Sequence, residues 1–96
     1  MKLVMIVYSG PDRRLVPALL DEHHAGGWTE LSQAHGAGST GRRDGSRAWP
    51  GDAAVYFSIV PAERADELSE ALRDEAARRG AGERLHAAVL PIETFF

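Results

Sequence analysis

The 96-residue chain is 44% hydrophobic and 26% charged, with a formal net charge of -3 and no cysteine. That length and balance specify one soluble domain, spanning residues 1–96, whose core is small enough that self-association is a common supplement. They exclude disulfides, thiolate metal sites, cysteine nucleophiles and a membrane span of ~20 apolar residues, give no general electrostatic reason to bind nucleic acid, and fit a cytoplasmic protein.

Leu3 to Tyr8 is a continuous run of β-forming apolar residues, which predicts a strand buried on both faces. This run is too short for a signal peptide, and no small-residue cleavage site follows it. Ser9-Gly10-Pro11-Asp12 breaks the run, and Pro11 suits the first position of a helix. Leu15, Val16, Leu19 and Leu20 share one helical face, and Gly26-Gly27 ends that helix. Trp28 to His35 alternates loosely and predicts a strand with one wet face. Ala53 to Val60 is a further strand, with Val55, Phe57 and Ile59 on one side and Tyr56 and Val60 on the other.

Pro61 opens a second helix, whose buried stripe is Ala65, Leu68, Leu72 and Ala76. Asp74–Arg78 and Glu75–Arg79 are predicted i,i+4 pairs on its exposed side. Gly80-Ala81-Gly82 stops the helix, and Leu85 to Ile92 is the last strand. The order β-α-β-β-α-β is the ferredoxin-like, split βαβ arrangement: a four-stranded antiparallel sheet with two helices on one face. Two helices leave the other face of that sheet open. The strands Leu3–Tyr8 and Ala53–Val60 are apolar on both sides, so a second copy of the chain is expected to cover it.

The stretch from Gly36 to Gly51 holds five of the ten glycines and a net side-chain charge of +2 in an acidic chain. It is predicted to be a mobile recognition loop. Gly36-x-Gly38-x-x-Gly41 matches a dinucleotide fingerprint in form only, because Gly45 and Pro50 forbid the helix that must follow. An anion cradle fits better: glycine N–H groups form a nest, and Arg42, Arg43 and Arg47 fork onto phosphate or carboxylate oxygens. Trp49 beside Pro50 is expected to pack the loop down, with docking of a partner as the alternative.

His35 lies where the loop begins and His86 on the last strand. With Glu22, Asp21 or Glu30 gathered between subunits they offer imidazole and carboxylate ligands suited to a divalent transition metal, Zn, Ni or Cu. His23 and His24 are adjacent on a helix and point about 100° apart, which disfavours joint chelation. No nucleophile, base and orienting group fall into a recognisable set, so an enzyme is not expected.

Several local features then coincide: Lys2-Leu3-Val4 at the start, Gly27-Trp28-Thr29 leading into the second strand, His35-Gly36-Ala37-Gly38 at its exit, the basic loop, Val60-Pro61, the Gly80-Ala81-Gly82 turn, and Val89-Leu90-Pro91-Ile92-Glu93. Together they resemble the P-II (PII, nitrogen regulatory) signal-transduction family, and in particular its short, divergent P-II-like members. The resemblance implies a homotrimer with inward-facing sheets. It also implies small-molecule sensing, usually of adenine nucleotides, at clefts between subunits, and control of a membrane transporter or regulatory protein through the long loop. On that basis Gly36, Gly38, Arg42, Arg43, Arg47, Gly82 and Arg84 are the expected ligand contacts; by ligand chemistry alone, His35, His86 and Glu22 are the alternative metal set.

The chain departs from the family in three places. Tyr8 and Tyr56 lie in strands, so the loop has no tyrosine to modify. Glu83 stands in the phosphate-binding turn, where the family reads Gly-Asp-Gly-Lys. The stretch after the last strand, Glu93-Thr94-Phe95-Phe96, carries none of the arginines the family places there. Weak anion or nucleotide binding follows. A metal-binding trimer of the CutA-like or metal-efflux-associated kind is the alternative, followed by a small ferredoxin-like enzyme.

Overall fold

A computed structural model describes residues 1–38, 41–42, 53–80 and 82–96. The chain begins with β1 (Lys2–Ser9), continues through α1 (Leu15–Glu22) and β2 (Thr29–Ala34), and reaches a two-stranded ribbon of β3 (Ala37–Gly38) and β4 (Gly41–Arg42). It then returns through β5 (Ala53–Val60), α2 (Ala62–Arg78) and β6 (Arg84–Pro91). The main sheet has the order β2-β5-β1-β6 with every pairing antiparallel, so it is the ferredoxin-like arrangement expected from the pattern.

The apolar runs form strands with two apolar faces. Val4, Ile6 and Tyr8 of β1 point toward the helices and meet Val16, Leu19 and Leu20 of α1, Tyr56 and Val60 of β5, Ala65, Leu68 and Leu72 of α2, and Leu85 of β6. Ser58 is the polar member of this layer, and its hydroxyl donates to the Gly27 carbonyl at 2.8 Å, so it is buried without an unmet hydrogen bond. The alternate residues Leu3, Met5, Val7, Val55, Phe57 and Ile59 occupy the opposite face with Leu31, Ala88 and Leu90, and no described element packs over them. Leu31 is 54% exposed and Leu90 42% exposed on that face.

Two expectations are corrected. Pro11 does not open α1. The helix begins at Leu15, because the Asp12 carboxylate accepts the Arg14 N–H at 3.0 Å and closes a turn first. Pro17 then falls in the first helical turn, where its missing N–H is harmless. On α2, Arg78 reaches Glu75 at 2.8 Å rather than Asp74, and Arg79 joins the same carboxylate at 3.0 Å. Within the stretch 36–51, Ala37 pairs with Arg42 and Gly38 with Gly41. The remainder of that stretch, including Arg43, Arg47 and Trp49, lies outside the described residues, as does Ala81.

Candidate ligand site at one end of the sheet

Strand direction places the expected contacts. β1 ends at Ser9, which pairs with Arg84 at the start of β6, and β2 leaves the sheet at Ala34, which pairs with Ala53 at the start of β5. His35, Gly36, Arg84 and His86 therefore lie toward one end of the sheet, with Gly82 just before β6 at that same end. They lie on opposite edges, however, because β2 and β6 are the two outer strands. With neighbouring strands ~4.8 Å apart, the two groups are separated by about 14 Å across one protomer.

Glu22 is elsewhere. It closes α1, and the next residue's carbonyl, that of His23, accepts Arg64 in the first turn of α2, which follows β5 at the opposite end of the sheet. One protomer therefore does not bring Glu22 together with His35 and His86. Among the described residues no three His, Asp or Glu side chains are grouped to hold a metal ion.

Local backbone features shape both edges of the site. β2 carries a bulge between Leu31 and Ala34, where Gln33 adopts a φ of 58°. A left-handed glutamine is uncommon, and the bulge turns the strand as it leaves toward Gly36. On the far edge, the Glu83 N–H donates to the Gly80 carbonyl at 3.2 Å, closing a turn in which Gly82 has a φ of 93°. That conformation favours glycine and presents the turn's backbone close to the surface.

Alternation along β6 sends Glu83 and Leu85 toward the helix side, while Arg84 and His86 share the side of Leu3, Met5 and Val7. The Tyr8 hydroxyl donates to Glu83 Oε1 at 3.0 Å and accepts the Asp12 N–H at 3.1 Å. The sequence marks Glu83 as an acidic intrusion in the turn. It carries no sign that Tyr8, 75 positions away, holds that carboxylate.

Tyr56 anchors the middle of the helix-side layer, with Trp28 edge-on at 6.1 Å and 62°. Burial pushes its phenol up to about 12, and the Glu30 carboxylate adds to the shift. An unfolded phenol titrates near 10.0. The raised folded value means that Tyr56 contributes stability fully below pH ~10, and this contribution is lost as pH rises through about 12. Thermal midpoints measured across that window should fall for the wild type and fall less steeply for Tyr56→Phe. Equal slopes for the two proteins would show that this phenol has no part in the alkaline loss.

No protein-family model matches the chain, and no curated protein matches it. Solved structures do. CPII, a nitrogen regulatory PII-like protein from Thiomonas intermedia K12 bound to ADP, AMP and bicarbonate, aligns over 93% of this chain and 86% of its own, at 21% identity and a TM-score of 0.71. The same protein bound to ADP and bicarbonate aligns over 93% and 86%, at 23% identity and a TM-score of 0.66. A PII-like signalling protein from Thermus thermophilus aligns over 92% of this chain and 82% of its own, at 28% identity and a TM-score of 0.59. The chain has the fold of these PII-like proteins and is similar to them over most of its length. The PII-like fold accounts for the ferredoxin-like order and for the position of the basic stretch between β2 and β5. No helix of this chain, among the described residues, is long and apolar enough to cross a membrane.

Proposed function

We propose that this PII-like chain is a non-enzymatic regulatory protein that works as a homotrimer in the cytoplasm. It binds an adenine nucleotide or a small anion at the clefts between subunits and signals to a partner, such as a membrane transporter, through residues 36–51. The observation that carries this reading is the placement of the two contact groups. Gly36 lies on one edge of the sheet, and Gly82 and Arg84 on the other, at the same end. One protomer cannot close a single small-molecule site from both, whereas an edge-to-edge neighbour can. The uncovered apolar sheet face supplies the reason to assemble. The likeness to CPII, which is bound to ADP, AMP and bicarbonate, gives the ligand class.

In this site Gly36, Gly38 and Gly82 allow close backbone approach, and Arg42, Arg43, Arg47 and Arg84 neutralise the anion. Calorimetry with ATP, ADP, AMP, phosphate and bicarbonate is the test. Binding is expected in the micromolar range or weaker, about -8 kcal/mol or less in magnitude, and should fall with added salt. The double variant Arg42→Ala/Arg43→Ala should lose at least ~1.5 kcal/mol. Absence of binding below millimolar for every ligand, or an unaffected double variant, would remove the sensing role.

A further inference from the structure

Glu83 stands between Gly82 and Arg84, so a free carboxylate there would repel any anion held by its neighbours. In the folded protomer it is not free. The Tyr8 hydroxyl commits its single proton to Glu83 Oε1 at 3.0 Å and accepts the Asp12 N–H at 3.1 Å, a saturated arrangement for a phenol. The tyrosine itself is 3% exposed and is fixed in the core by its place on β1.

The turn after β1 is shaped to this pair. A Cβ on Gly10 would collide with the Tyr8 ring and hydroxyl and come within 2.9 Å of Glu83 Oε1. Strand alternation directs Glu83 toward the helix side and Arg84 to the opposite side.

We propose that Tyr8 is a positioning residue for the anion site: its hydroxyl ties the Glu83 carboxylate to the turn after β1 and so keeps that negative charge away from the ligand held by the Gly80–Arg84 turn. This rests on the cleft reading above. It accounts for how a PII-like turn tolerates a glutamate beside its ligand contacts. Burial raises the Tyr8 phenol above its ordinary range, so it remains a proton donor throughout the neutral range.

ADP affinity by calorimetry tests this on the full chain, with circular dichroism confirming that each variant is folded. Tyr8→Phe keeps the ring and releases Glu83, and should weaken ADP binding about threefold or more at low salt. The loss should shrink as salt screens the freed charge. Adding Glu83→Gln to Tyr8→Phe removes that charge and should restore wild-type affinity. Glu83→Gln alone, which can still accept the tyrosine's hydrogen bond, should bind at least as tightly as wild type. Equal weakness of Tyr8→Phe and the double variant would show a merely structural tyrosine and overturn the proposal, as would wild-type affinity in Tyr8→Phe. Failure of the wild type to bind ADP would instead overturn the cleft reading, and the proposal with it.

Discussion

Phe57→Asp is expected to abolish assembly. The wild type should elute and scatter light as a trimer of the 10.4 kDa chain, and the variant as a single chain or as unfolded material. Phe57 sits on the central β5, between Met5 of β1 and Thr29 of β2, on the sheet face that the helices do not cover. In a lone protomer an aspartate there could reach water. Between packed sheets it would be an unpaired charge in a dry layer, which costs far more than losing the phenyl contacts. Thr29→Asp, at the rim of the same row, should have a much smaller effect. A wild-type mass for Phe57→Asp, or a monomeric wild type at micromolar concentration, would mean that this face is not where the copies meet.

The second large effect lies on the other side of the sheet. Leu68 is 1% exposed and is surrounded by the β1, α1 and β5 side chains of the core. Leu68→Ala removes about three methylene equivalents from a packed site and should cost about 2–5 kcal/mol. For a domain of this size that is a fall in Tm of at least about 8 °C. Leu68→Met, which keeps the volume, should cost less than ~1.5 kcal/mol. Thermal melts should be compared at one protomer concentration, so that any self-association weighs equally on both proteins. A Leu68→Ala protein that melts with the wild type would mean that the α2 stripe is not the core.

Elements carried by their own residues were legible in the sequence. Ala53–Val60 coincides with its predicted strand because its β-branched and aromatic residues alternate over two apolar faces. The α2 stripe is likewise readable, since Ala65, Leu68 and Leu72 are all buried. What escaped was decided by side-chain to backbone contacts and single-residue backbone conformations that periodicity does not encode. Pro11 reads as a helix start, yet the turn there is held by the Tyr8 hydroxyl and the Asp12 carboxylate, so the helix waits until Leu15. The bulge at Gln33 left no mark either, because glutamine has no preference for a positive φ.

The same gap affects the candidate site. Gly82 was recognisable as a turn residue, and Arg84 as a cation beside it. That Gly36 lies on the opposite sheet edge from both follows only from strand order, which the local pattern does not contain. Glu22 was grouped with the histidines on chemistry alone, and the direction of α1 takes it to the other end.

The central position of β1 has a consequence for how the chain reaches this state. Its two partners come late in the sequence: Lys2 pairs with Val60 on one side and with Pro91 on the other. Both pairings close very long loops, so little of the sheet can form from local contacts, and folding should be slow for so short a chain. During synthesis Leu3-Val4-Met5-Ile6-Val7 emerges before either partner and waits with both hydrogen-bonding edges bare until β5 and then β6 are made. That strand, with high β-propensity and no charge from Leu3 to Tyr8, is where misassembly between nascent chains would begin.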